Sequence, residues 1–570
     1  MAQTRKDRWA LWRYFFSFAK GEGRTIAAAL VANSLCTAME VVMPLLQKKA
    51  VDRFLLKGSL KGIEGFAFQY LLCVLIHAGT MIVFIQGAIN VEMTLEGRMR
   101  NKAMHHIQKL PMGYFAHASS GDILARIGAD MDRISDLMVW DMIMLSWSLP
   151  AALGSLGVMF YLNAPLAFMT ALSIPVFLLI MKRFDGRIFD AGRRARKQNG
   201  RVVGHMHEGL KGYRAMRVLS AEEEKKAVFR GSANKLAARN IEEIRLRSLY
   251  VSLTIFVGAL LAVLVLAKGS SDLGKGALSA GTLSAFLSYV LQILSPVQAT
   301  AQGYSELVGL GGTMERVKEF FDAEEEAPSG VPGKRADFEG SIRFSGVTFA
   351  YDEKTPVLEN FDLLIEGGKT TAFVGETGAG KSTLIQLLMQ YYTPQKGQIL
   401  IGDQDARMYT KESLRRETGC ILQNAVIFQG TVYDNIAAGK AGATDPEIRA
   451  AAKRALITDL EKKASELSAG ERQMVGFARL FLRDPAIVIL DEATAHVDIE
   501  TEKKLGRASE RLLKGRTGLV IAHRLSTVRE ADRIVVLGQG RILETGSHEA
   551  LCARAGAYRA LIDQEKGGLS

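Results

Sequence analysis

A chain of 570 residues carrying a net charge of +12 is too long for a single hydrophobic core, so at least two domains are expected. A hydrophobic share of 48 % with mean hydropathy above zero is high for a soluble protein of this charge. Cys36, Cys73, Cys420 and Cys552 are scattered without CxxC or metal-like spacing, so a disulfide framework is not implied and a reducing compartment suits the C-terminal part of the chain.

Residues 1–24 interleave Arg5, Lys6, Arg8, Arg13, Lys20 and Arg24 with Trp9, Trp12, Tyr14, Phe15, Phe16 and Phe18. This predicts an amphipathic helix lying at a membrane interface. A signal peptide's short apolar core and small-residue cleavage site are not visible here. Apolar runs follow at Thr25–Gln47, broken only by Glu40, and at Gly65–Val91. Met142–Met181 is uncharged and long enough for two spans of about 20 residues each, with Asn163-Ala164-Pro165 supplying the turn. Leu249–Ala267 and Gly276–Ser305 complete six spans, joined by the polar stretch Lys268–Lys275.

The segments 1–24, 92–136 and 182–247 together hold 30 Lys and Arg, against 7 in 48–64 and 268–276. The positive-inside rule therefore puts the N-terminus and both long loops in the cytoplasm. The basic cluster Arg187–Arg201 reads as a solvated or lipid-facing helix face, not a nucleic-acid site. Within or beside the spans, Glu40, His77 and Glu92 are costly in lipid and are expected to face a cavity or a partner helix.

Ala323–Gly333 is acidic and rich in Pro and Gly, which reads as a linker. Beyond Gly340 strands alternate with helices, as in a phosphate-loop α/β domain. There, the apolar run Thr371–Val374 leads into Gly375-Glu376-Thr377-Gly378-Ala379-Gly380-Lys381-Ser382-Thr383, which fits G-x-x-x-x-G-K-[ST] at every fixed position. Its glycines let backbone N–H groups turn toward phosphate oxygens, Lys381 is placed to hold the β- and γ-phosphates, and Ser382 to ligate Mg2+. Downstream, the apolar run Ala486–Leu490 ends in Asp491-Glu492. Asp491 is assigned to the Mg2+ shell and Glu492 to orienting the attacking water. The implied chemistry is hydrolysis of a nucleotide.

Taken together the chain resembles an ABC transporter half of the exporter type. Phe349-Ala350-Tyr351 sits where the family places an aromatic against adenine. Gln423 matches the glutamine loop, a Mg2+ contact. Leu467-Ser468-Ala469-Gly470-Glu471 matches the signature, usually LSGGQ; Ala495–Asp498 matches the loop after the catalytic Glu492, and His523 the switch histidine. The resemblance implies an all-α six-helix transmembrane domain (1–322), a linker (323–337) and an α/β phosphate-loop ATPase domain with a helical subdomain (338–570). Coupling helices are expected near 112–121 and 208–217. It also implies ATP and Mg2+ as cofactors, with Ser468 and Gly470 meeting the γ-phosphate bound by a second half-transporter. A bacterial inner membrane is the expected location. An importer on the same fold and a non-hydrolysing regulatory subunit are the alternative functions. The chain departs from the family at Ala469 and Glu471, and in the short stretch Leu456–Glu466 before the signature, where a longer segment is usual. A heterodimer is favoured over a homodimer, because halves that keep the glutamate but carry an altered signature commonly pair with the converse half.

Overall fold

The computed structural model describes residues 5–58, 60–326, 330–352, 355–421, 425–491, 499–521 and 528–567. The chain divides into two compact units, Met1–Gln108 with Ser120–Ala323, and Lys109–Ser119 with Glu324–Ser570.

The first unit is helical. After the helix Arg5–Phe16 come, among the described residues, six helices long and apolar enough to cross a membrane. The first span is Gly23–Ala50, the second Ile63–Ile107, the third Met142–Leu162, the fourth Ala164–Lys211, the fifth Glu222–Gly274 and the sixth Ala280–Phe321. At about 1.5 Å per residue the fifth is about 80 Å long, far more than the bilayer core of about 30 Å. The helices therefore run well beyond the bilayer, as the polar, basic stretches at 182–247 foretell. Asn163 makes the expected turn and caps the fourth span, its Oδ1 accepting the Leu166 N–H at 3.1 Å. The stretch expected as a polar connection, Lys268–Lys275, instead continues the fifth span to Gly274. A Lys268–Asp272 pair four residues apart (2.8 Å) supports that last turn.

Polar groups inside this unit find partners on neighbouring helices. Trp147 Nε1 donates to Glu40 at 2.7 Å and Trp140 Nε1 to Glu92 at 2.8 Å. Asn33 donates to Ser146 at 2.8 Å, and Tyr289 to the Val41 carbonyl at 2.5 Å. Such bonds meet the demand that apolar surroundings place on buried polar atoms. In the N-terminal helix Leu11 and Phe15 are buried while Trp9 is exposed. Lys102 Nζ stands about 5 Å from the rings of Tyr14, Phe18 and Phe321, holding this helix to the bundle by cation–π contacts.

The second unit is built on two sheets. An antiparallel sheet has the order β2-β1-β4-β5, with β1 Ile342–Phe349, β2 Leu358–Ile365, β4 Lys396–Ile401 and β5 Gln404–Asp405. The other has the order β10-β9-β3-β8-β7-β6 and is parallel except for β10. Its strands are β3 Thr370–Gly375, β6 Thr418–Ile421, β7 Ile487–Asp491, β8 Thr517–Ile521, β9 Arg533–Gly538 and β10 Arg541–Gly546. Side chains alternate across β3, so Ala372 and Val374 join one apolar core while Phe373 joins the other. Burial on both faces explains why Thr371–Val374 in β3 and Ile487–Leu490 in β7 read as apolar runs.

Candidate nucleotide site

The loop leaving β3 is shaped by glycine. Gly375, Gly378 and Gly380 have φ of +149°, +87° and +99°, a region that side chains rarely adopt. A Cβ on Gly375 would stand 2.2 Å from the Leu537 carbonyl oxygen, so the strand spacing itself demands glycine. Gly380 in turn caps the helix Lys381–Leu388. Glu376, Thr377 and Gly378 are exposed along the crest of the loop, and Ala379 is buried beneath it. Lys381 is buried and donates to the carbonyls of Gly375 and Glu376 at 2.5 and 3.0 Å, which holds its ammonium against the loop. Ser382 is exposed on the first helical turn, where the backbone N–H groups and helix dipole favour anions.

Tyr351 joins this site from the antiparallel sheet. Its hydroxyl lies 3.1 Å from Thr383 Oγ1 and donates to Gln386 at 2.5 Å. Phe349 and Tyr392 meet its ring edge-on, with centroids 4.9 and 5.2 Å away. A partly exposed ring is thereby fixed beside the phosphate-loop helix. Tyr392 and Gln386 carry no motif of their own.

Asp491 closes β7 and pairs with Ile521 of β8, which pairs with Phe373 of β3. The carboxylate thus stands on the same carboxyl edge of the sheet as the phosphate loop. Gln423, Glu492 and His523 lie outside the described residues. The strands that precede them, β6, β7 and β8, all end on that edge.

The signature segment is a helix start. Ser468 caps Ala469–Arg483, its hydroxyl accepting the Glu471 N–H at 3.3 Å while the Glu471 carboxylate accepts the Ser468 N–H at 2.8 Å. This reciprocal cap uses glutamate where glutamine is usual. Lys462 bonds the same carboxylate at 2.6 Å. The Lys462 hydrogen bond first, and the Ser468 N–H second, hold Glu471 below the ordinary carboxylate range. Ala469 is exposed and Gly470 buried. Lys462 was not legible as a functional residue, because it stands nine positions before its partner Glu471, outside the signature helix.

The short stretch before the signature is a closed loop. Val432 and Tyr433 donate to the carbonyls of Lys462 and Leu460, Ala464 donates to that of Gly430, and Asp459 accepts from Glu461 and Lys462. Leu456, Ile457 and Leu460 pack on the core. The backbone is satisfied without a longer insertion.

A short helix, Met112–His117, lies at the first expected coupling position and belongs to the second unit. Glu326 N–H donates to the Lys109 carbonyl at 2.7 Å, and a Cβ on Gly113 would touch the Tyr392 ring at 3.7 Å. The second expected position, 208–217, falls on the end of the fourth span, a break at Gly212 and the helix Tyr213–Val218.

Residues 26–297 match the model of the ABC transporter transmembrane region, and residues 358–495 the ABC transporter model. YknV of Bacillus subtilis, described as an uncharacterized ABC transporter ATP-binding protein, is 30 % identical over 97 % of this chain and 94 % of its own length. The chain belongs to the ABC transporter family. As an ABC transporter half it is also similar to the fatty acid ABC transporter ATP-binding/permease protein of Mycobacterium bovis, at 33 % identity over 81 % of this chain and 75 % of that one. The ATP-dependent lipid A-core flippase of Syntrophus aciditrophicus is 30 % identical over 97 % and 94 %. A solved bacterial Atm1-family ABC exporter with ATP bound shares 25 % identity at a TM-score of 0.77, covering 95 % of this chain and 98 % of that one. This ABC transporter half is a multi-pass membrane protein of the exporter fold, and its phosphate-loop unit is an ATPase coupled to transport.

Proposed function

We propose that this chain exports a lipid or other amphiphilic small molecule as one half of a heterodimer in a bacterial inner membrane. Its loop 375–383, Asp491 and Glu492 would serve the competent ATP site, opposite the partner's signature. The observation that carries the reading is the position of Glu471. Its carboxylate sits on the N-terminus of the signature helix, where an incoming γ-phosphate needs free N–H groups and positive field. Lys462 offsets the charge, yet the Ser468 N–H is already engaged. A signature so occupied is a weak phosphate ligand and suits the non-hydrolysing side. The names of two relatives, a fatty acid transporter and a lipid flippase, support the substrate class.

Ser382 and Asp491 offer an exposed hydroxyl and a strand-end carboxylate, hard oxygen donors that fit Mg2+; Gln423 would join them. Bound Mg2+ would neutralise charge on the phosphates. Lys381 would orient the β- and γ-phosphates, Tyr351 would hold the adenine, and Glu492 would accept the water's proton while His523 steadies the γ-phosphate.

The test is the chain purified alone in detergent, with mass and ATPase measured. Weak hydrolysis that Glu471→Gln raises several-fold fits the proposal. A stable homodimer with robust hydrolysis that Ser468→Ala abolishes overturns it, since the signature would then serve a working site. Uptake of labelled lipid into inside-out vesicles decides direction; ATP-driven movement only in right-side-out vesicles loaded with ATP would mean import.

A further inference from the structure

The first two spans run antiparallel, as the cross-pairs Lys49–Gln69, Met39–Cys73, Cys36–His77 and Glu22–Arg98 show. That register collects chemistry that neither helix holds alone. Cys36 and Glu40 are four residues apart on the first span and share a face. His77 comes from the second. One donor atom from each of the three lies within 4.8 Å of the others, with Cys36 buried and the other two half-buried.

We propose that Cys36, Glu40 and His77 bind a divalent transition-metal ion of the zinc class between the first two spans. A thiol, an imidazole and a carboxylate form a mixed donor set that suits such ions and not Mg2+ or Ca2+, which take oxygen. Tetrahedral bonds of about 2.0–2.3 Å put ligand atoms about 3.5 Å apart, so the trio closes on an ion through side-chain shifts of about 1 Å. Three protein ligands leave a fourth position for water or a small ligand.

Within this trio His77 is the member held most loosely by the protein's own bonds. His77 Nδ1 stands 3.4 Å from the Cys36 carbonyl, at the outer limit of a hydrogen bond to oxygen, and 3.5 Å from Cys36 Sγ, an ordinary contact to the larger sulfur atom. Glu40 is better held, by Trp147 Nε1 at 2.7 Å. That bond orients the carboxylate as outer partners of metal ligands do, and it leaves a second oxygen to offer. One turn along the seam, Cys73 Sγ meets Met39 Sδ at 3.7 Å, placing more sulfur beside the site. Ionisable and thiol groups meeting inside apolar spans cost more than helix packing requires.

The experiment uses the full chain in lipid nanodiscs, with its purification tag removed and Cys552 replaced by Ser. That replacement is needed because Cys552 Sγ lies 3.7 Å from His548 Nε2 and could ligate metal itself. Co2+ is titrated and followed by its thiolate charge-transfer absorption, then displaced by Zn2+. The expected result is one equivalent per chain, a charge-transfer band lost in C36S, and Zn2+ affinity reduced by more than about tenfold in both E40Q and H77N. C73S is the comparison that keeps the band. No thiolate band in the parent protein overturns the proposal whatever the variants do. A band that persists in C36S, or unchanged Zn2+ affinity in E40Q and H77N, overturns it equally.

Discussion

At the scale of single residues, the proposed roles of Lys381 and Glu492 separate binding from chemistry. Lys381 is buried at the base of the loop and donates to the carbonyls of Gly375 and Glu376. Its replacement by Ala removes the cation that would meet the phosphates, so ATP affinity should fall by tenfold or more, on the order of 1.4 kcal/mol or above. Glu492→Gln keeps shape and removes only the carboxylate, so nucleotide binding should persist while phosphate release falls by about 100-fold or more. Fluorescent-nucleotide titration and a phosphate-release assay distinguish the two. Equal loss of binding in both variants would refute the division of roles.

Two contacts between elements carry testable weight. Asp52, just after the first span, accepts from Ser279 Oγ and from the Gly281 N–H, both at 2.8 Å, and so caps the sixth span. A Cβ on Gly281 would lie 2.3 Å from the Lys48 carbonyl oxygen and 2.6 Å from Asp52. Gly281→Ala should therefore destabilise the bundle by about 1–3 kcal/mol through overpacking, read as a lower melting temperature in detergent; an unchanged value would show that the helices part freely there. In the second unit Glu326 bonds Arg415 at 2.8 and 3.0 Å and Lys411 at 3.0 Å. Burial pushes its carboxyl up, but hydrogen bonds from Arg415 and Lys411 outweigh that and hold it below its ordinary value of 4.5. The folded state thus binds the proton less readily than the unfolded one. The stabilisation is complete above that value and is lost as pH falls through the depressed folded one. Glu326→Gln should cost about 1.5–3 kcal/mol at neutral pH, with the difference from wild type shrinking below pH 4.5. A pH-independent difference in melting temperature would exclude the ionic account.

For the whole molecule, the proposed orientation rests on charge: 30 basic residues in three segments against 7 in the two opposite ones. A cysteine introduced at Lys57 should react with an impermeant maleimide in intact cells, and one at Ser220 only after permeabilisation. The reverse pattern would invert the topology. Much of the architecture was legible in the sequence because its signals are local. Apolar runs mark the spans, Asn163-Ala164-Pro165 marks their turn, and the phosphate loop needs its glycines and lysine at fixed spacing on one continuous stretch. The sequence alone therefore determined six spans and a phosphate-loop unit. Only the tertiary structure decided which distant residues meet. It paired Glu40 with Trp147, Glu92 with Trp140 and Cys36 with His77, placed Lys462 on Glu471, and joined 109–119 to the second unit. Helix register and strand order set those meetings through the packing of many side chains at once, and packing leaves no periodicity in the chain to read.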